Sequence, residues 1–235
     1  MKFSLKEFIQ EKYLEGRERD KIAKMFRKDK PFPHFVLKDF FLREKIIELL
    51  KGLSKEKLYE KESDLFKFMQ TNDLNFSSCK EIKEFRDFLI SNDFISYLSD
   101  ITGFKLKKGK IDLFGSVYQD TDYLLCHDDK LEGRKIAFNV YLSNFKENEG
   151  GSLNLFASND GKPLKIEKEI ISRFNTFAIF EVSEKSFHEV SEVVVNKQRI
   201  ALSGWYYEAF FSLQKKKTFG KQKKVYREFG GFKND

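Results

Sequence analysis

At Phe104 the chain changes periodicity, and that change limits what it can fold into. Before it, apolar residues recur at helical spacing. After it, strand-like runs follow at 110–119, 123–128, 135–143, 152–157, 163–168, 173–181, 186–190 and 198–207. Turn formers separate several of them: Glu132-Gly133, Glu149-Gly150-Gly151 and Asn159-Asp160-Gly161-Lys162-Pro163. Short strands in this number predict a mainly β fold with flanking helices (α+β), a double-stranded β-helix or jelly roll buttressed by N-terminal helices. A two-layer α+β domain without an interior cavity is the alternative.

Within those strands one cluster of residues carries chemistry. If Leu124 to Asp129 ends a strand, alternation puts His127 and Asp129 on one face and Cys126 and Asp128 on the other. The chain has only three histidines. His188 lies in a similar strand-like run, whereas His34 has no carboxylate at ligand spacing and reads as a structural or surface histidine. Two imidazoles and one carboxylate fill one face of an iron ion and leave positions open for cosubstrate and oxygen. Arg199 follows His188 on the next strand-like run. His-x-Asp, a later His and then a basic residue is the order expected of a non-haem Fe(II) oxygenase. Singly, each residue has an ordinary explanation: a solvated strand end, a core histidine, a surface charge. The joint order and the scarcity of histidine favour the metal site.

The strand phases fit an interior site. Ala137, Asn139 and Tyr141 share one face, opposite Phe138, Val140 and Leu142. Arg199, Ala201, Ser203 and Trp205 align opposite Ile200 and Leu202. If the polar faces line a cavity, Arg199 and Tyr141 can grip a dicarboxylate. An arginine buried without a counter-charge is costly, so this reading requires an acidic ligand.

The first half supplies helices. Residues 5–28 carry an amphipathic pattern that Gly16 can interrupt, and Lys30-Pro31-Phe32-Pro33 ends it. A short strand from His34 leads toward a helix at 42–53, and a possible strand opens 58–76. Helices at 79–91 and 93–101 carry the stripes Ile82, Phe85, Phe88, Leu89 and Ile95, Leu98, Ile101, with Gly103 as the stop. The organisation expected is a helical extension over 1–30, the site-bearing domain over 31–211 and a basic tail over 212–235. With 40% apolar residues, 27 of them Phe, the 235-residue chain can bury a large core.

No apolar run approaches the roughly 20 residues of a membrane span, and the charged start is not a secretion signal. Cys79 and Cys126 form no disulfide framework, so a reducing compartment is expected: the cytoplasm, or the nucleus of a eukaryote. The formal charge of +7 is uneven. Residues 212–235 hold eight Lys or Arg against Glu228 and Asp235, while residues 31–211 have a small acidic excess. The tail is thus a solvated end or a contact to RNA or an acidic protein.

At these residues the sequence resembles the Fe(II)/2-oxoglutarate-dependent prolyl hydroxylases, with their cupin-like core. Within them it resembles the ribosomal prolyl hydroxylases, which modify a small-subunit protein. The resemblance is carried by Leu124 through Phe138, Gly150 through Phe156, Phe180-Glu181-Val182-Ser183, Ser186 through Val193, Arg199 and Ser203-Gly204-Trp205. Leu65 through Leu74 is similar to that subfamily in particular. The resemblance implies His127, Asp129 and His188 as iron ligands, and Arg199, Tyr118 and Tyr141 around 2-oxoglutarate. It also implies O2 as cosubstrate, ascorbate as accessory reductant, and Trp205 and Asn139 on the substrate side. The implied substrate is a proline-containing protein. Known eukaryotic ribosomal enzymes carry a second, inactive barrel, where this chain has the basic tail. A small-molecule oxygenase, a nucleic-acid demethylase and an inactive binding barrel are the competing readings.

Overall fold

The computed structural model describes residues 3–131 and 133–209. Two 3-10 turns, Leu5–Glu7 and Glu11–Tyr13, precede helix α1, Gly16–Lys28. Gly16 therefore starts a helix instead of interrupting a longer one. Phe8 and Ile9 are buried between the two turns and Tyr13 at the end of the second, and Ile9 forms a bridge with Phe41. From Gly16 on, Ile22 and Phe26 lie one turn apart and bury together. These N-terminal side chains share the main hydrophobic cluster with the sheet.

Strand β1, His34–Lys38, leads into helix α2, Arg43–Leu53. A hairpin follows, β2 over Leu58–Ser63 and β3 over Phe66–Thr71. Helices α3, Lys80–Leu89, and α4, Asn92–Thr102, bury the expected stripes. The Ser91 hydroxyl accepts from Phe94 N at the start of α4, and Gly103 ends it with φ 78°, a left-handed conformation that favours glycine.

Eight strands follow: β4 Leu106–Tyr118, β5 Tyr123–His127, β6 Arg134–Tyr141, β7 Leu153–Asn159, β8 Lys162–Ile170, β9 Thr176–Glu181, β10 His188–Val190 and β11 Arg199–Glu208. With β1, β2 and β3 they form, among the described residues, one antiparallel sheet of eleven strands, ordered β1-β9-β6-β11-β4-β3-β5-β10-β7-β8, with β2 on β3. Strand β3 is the corner. It pairs with β4 at Met69↔Val117 and with β5 at Phe66↔Leu124.

The sheet folds back on itself there. Leu153, Leu155 and Ile170 from β7 and β8 pack in one cluster with Ala137, Tyr141, Ala178, Phe180 and Ala201 from β6, β9 and β11. The other face of those strands, with Phe138, Val140, Phe177, Ile179 and Leu202, packs on the helices. Both faces are thus covered, as a jelly roll with a helical buttress requires, and the expected fold class holds. Phe177 ties the layers together: it is fully buried and meets the rings of Phe35, Phe40, Phe41, Phe94 and Phe138. Losing a ring so placed costs about 3–5 kcal/mol. Residues 212–235, read as a basic tail, lie outside the described residues.

Candidate metal centre

Strands β5 and β10 are antiparallel neighbours, and His127 and His188 are direct partners in their register. Their ring centroids lie 4.3 Å apart. In each ring Nδ1 lies 2.8 Å from the backbone oxygen two residues earlier, Leu125 O or Ser186 O. A carbonyl can only accept, so Nδ1 carries a proton, and in the neutral ring Nε2 keeps the lone pair. Both Nε2 atoms point toward Asp129, whose Oδ1 is 3.6 Å from His127 Nε2 and whose Oδ2 is 3.3 Å from His188 Nε2.

One ligand atom from each of the three residues can be chosen within 4.8 Å of the others, a spacing a single ion could bridge. Asp129 lies two residues past the end of β5, so its convergence comes from the chain leaving the strand and not from alternation. His34 makes the same kind of Nδ1 contact, to Phe32 O, but is buried elsewhere, with Asp29 3.9 Å away and no second imidazole at ligand distance.

The electrostatics suit a cation. Burial works to raise the Asp129 carboxyl, yet the charges and hydrogen bonds of His188 and His127 hold it well below the usual carboxylate range. Burial works to lower His127, but the bond to Asp129 and its charge raise it above 6.5.

Arg199 shares the cavity. Only 2% exposed, it pairs in register with Tyr118. Its Nε donates to Gly151 O at 2.6 Å, and its guanidinium carbon lies 5.0 Å from the Tyr118 ring and 5.2 Å from the Tyr141 ring. No carboxylate lies at ion-pairing distance from it among the described residues. Gly150 and Gly151 both have positive φ. A Cβ on Gly150 would sit 1.8 Å from Glu192 O, and one on Gly151 3.0 Å from Arg199 Cδ. Only glycine fits this bend, which brings the Gly151 carbonyl to the arginine.

Tyr141 Oη is buried without a hydrogen-bond partner among the described residues. Burial raises its phenol, and the nearby Arg199 charge holds part of that rise back. Tyr118 is raised by burial in the same way and stacks on Phe68, 4.8 Å between centroids.

The cavity measures about 150 Å³ and is lined by His127, Asp129, His188, Arg199, Tyr118 and Ser203 among others. Tyr141 stands against Arg199 outside that lining. Asn139 lines it with its Oδ1 accepting from Ser203 Oγ at 2.7 Å. Trp205 lines it as well, with its indole N–H on Asp129 Oδ2. Phe68 and Gln70 on β3 also reach it, which sequence reasoning missed because the 58–76 stretch shows no clean alternation. An ion fits the three converging donors. An acidic ligand fits the uncompensated guanidinium and the unpartnered phenol.

Residues 113–207 match the family model described as the 2OG-Fe(II) oxygenase superfamily. Prolyl 3-hydroxylase OGFOD1 of Xenopus laevis is 39% identical over 197 residues, covering 82% of this chain and 38% of that protein. Its Mus musculus counterpart is 40% identical over 184 residues, covering 75% and 33%. The chain thus spans under two fifths of the length of these curated relatives. Among solved structures, a Pseudomonas putida prolyl-4-hydroxylase superposes with TM-score 0.65 at 13% identity, over 80% of this chain and all of that one. A Trichoplax adhaerens prolyl hydroxylase, solved with a hypoxia inducible factor peptide fragment, gives 0.63 at 14%, over 82% and 91%. At such identities the likeness establishes the jelly-roll fold. The family implies Fe(II), 2-oxoglutarate and O2. Residues 113–207 thus carry the pattern of the 2OG-Fe(II) oxygenase superfamily, and over most of its length the chain is similar to the OGFOD1 prolyl 3-hydroxylases.

Proposed function

We propose that this chain hydroxylates a prolyl residue of a protein, with Fe(II), 2-oxoglutarate and O2 as reactants and ascorbate as accessory reductant. The carrying observation is the buried Arg199, without an anionic partner among the described residues, in one cavity with two imidazoles and a carboxylate. His127 and His188 offer Nε2 and Asp129 a carboxylate oxygen to the ion. Arg199 receives the distal carboxylate of 2-oxoglutarate, with Tyr118 and Tyr141 flanking its guanidinium. When bound, the metal supplies oxidative decarboxylation of 2-oxoglutarate to succinate and CO2, with one oxygen atom passing to the substrate. The protein's part is to fix the donors, hold the cosubstrate's far end and keep water out with Phe114, Leu153 and Val190.

The prolyl substrate is supported by the named relatives, two of which are called prolyl 3-hydroxylases, and we assign the 3 position on that basis. A small-subunit ribosomal protein as target is supported by the likeness of Leu65 through Leu74 to that subfamily. The basic residues of 212–235 supply an arm for RNA or an acidic partner. No described helix is long and apolar enough to cross a membrane. We place the protein in the cytoplasm, or the nucleus in a eukaryote.

The test is succinate formation with a panel of proline-containing peptides, including ribosomal ones, followed by mass spectrometry and separation of hydroxyproline isomers. A gain of one oxygen on proline is expected. Turnover only with free amino acids or with methylated nucleic acid would replace this reading.

A further inference from the structure

The geometry points to Trp205 as a positioning residue for Asp129 rather than a wall of the substrate channel; this rests on the metal-centre reading above. The Trp205 indole Nε1 donates to Asp129 Oδ2 at 2.9 Å. That is the same oxygen that stands 3.3 Å from His188 Nε2. An indole N–H can only donate, so the contact favours an ionised carboxylate in one orientation. Asp129 needs such a restraint. It lies beyond β5 in irregular chain, where no ladder hydrogen bonds fix its backbone. His127 and His188, by contrast, are already fixed by backbone carbonyls.

The indole is itself held. Phe114 packs at 5.2 Å between centroids, and the Arg134 guanidinium carbon lies 3.6 Å from the Trp205 ring centroid. Arg134 Nη2 is 3.1 Å from Asp112 Oδ2, which also accepts from Tyr207 Oη at 2.7 Å. A cation over the ring face draws electron density from the indole and strengthens its N–H as a donor. Asp112, Arg134, Trp205 and Asp129 thus form one chain of contacts from β4 through β6 and β11 to the candidate ligand. Hydrogen bonds to metal ligands fix their orientation and tune affinity, and their removal typically costs 10–100-fold in binding.

The experiment titrates the metal-free protein with Co(II), following heat and visible absorption, in wild type, Trp205→Phe, Arg134→Met, the double variant and Asp129→Ala. Phenylalanine keeps a ring for Phe114 and Arg134 but has no N–H. Trp205→Phe is expected to weaken Co(II) binding by roughly tenfold and to change the Co(II) spectrum, with its melting temperature nearly kept. Arg134→Met is expected to weaken binding by a smaller factor with Trp205 present, and to add nothing in the Phe background.

Wild-type affinity and spectrum in Trp205→Phe would overturn the inference. So would an Arg134→Met effect of equal size in both backgrounds, which would mean packing alone. If Trp205→Phe does not fold, Arg134→Met decides, and an unchanged affinity and spectrum would overturn it. Wild type binding Co(II) no better than Asp129→Ala would sink the metal-centre reading, and this inference with it.

Discussion

Replacing Arg199 should weaken cosubstrate binding strongly while leaving the stability of the cosubstrate-free protein nearly unchanged. The side chain is 2% exposed, and among the described residues its guanidinium donates to Gly151 O and meets the rings of Tyr118 and Tyr141, which offset the cost of burial. A charge-assisted hydrogen bond is worth about 1.5–3 kcal/mol, and each ring contact about 0.5–2. Against these stands a desolvation penalty of several kcal/mol for an ion without a counter-ion. The terms nearly cancel. Arg199→Met, which keeps much of the volume, should therefore leave the melting temperature within about 3 °C, since 1 kcal/mol moves a domain of this size by roughly 2–4 °C.

The same change would strand the distal carboxylate of 2-oxoglutarate in a buried site, which costs about 3 kcal/mol, or roughly 10²-fold in affinity. Arg199→Lys keeps the charge and loses the fork, so it should recover part of that. Calorimetric titration of 2-oxoglutarate into Mn(II)-loaded protein and thermal melting of the metal-free protein read the two effects. Unchanged affinity in Arg199→Met would place Arg199 outside the cosubstrate site. Unfolding of that variant would show that the arginine is structural.

His127→Ala, Asp129→Ala and His188→Ala should each abolish metal-dependent succinate formation with the fold retained, and two active variants among the three would refute the triad. His34→Ala should instead keep turnover and lower the melting temperature, because its ring is buried on Phe32 O away from the cavity. The metal-free protein and its metal complex should respond oppositely to pH. His127 is raised above 6.5 by Asp129, so its contribution to folding is present below 6.5 and is lost as pH rises through the higher folded value. Metal binding must displace that proton, so metal affinity should climb over the same range, as titrations at several pH values will show. Phe177→Ala should cost about 3–5 kcal/mol in denaturant unfolding. Deleting residues 215–235 should leave turnover on a short peptide intact and weaken salt-sensitive RNA binding, and parallel loss of stability and activity would make the tail structural.

Much of the architecture can be read in the residues because two periodicities meet at Phe104. The helical stripes of Ile82, Phe85, Phe88 and Leu89 bury as their spacing requires. The alternation of β6 sorts Phe138 and Val140 to the helices and Ala137 and Tyr141 to the inner face. Residues 5–15 misled because Leu5, Phe8, Ile9 and Tyr13 mimic a helical stripe while the chain runs through 3-10 turns. Gly150 and Gly151 announce a turn, but the reason glycine is required, Glu192 O and Arg199 Cδ behind them, lies far along the chain. The partner of Trp205 was illegible for the same cause: Asp129 is 76 residues away. Alternation led to the convergence of His127 with Asp129 by a shortcut, since the strand stops at His127 and the following chain turns the carboxylate inward.

If His127, Asp129 and His188 hold the iron, one oxygen atom of O2 should reach a prolyl residue of the substrate. Reaction under 18O2 with Fe(II), 2-oxoglutarate and a proline-containing ribosomal peptide, followed by fragment mass spectrometry, tests it most directly. One 18O on a proline carbon and one in succinate are expected with wild type, and neither with His188→Ala. Labelled succinate with unlabelled proline across the peptide panel, or label on proline that persists in His188→Ala, would contradict it.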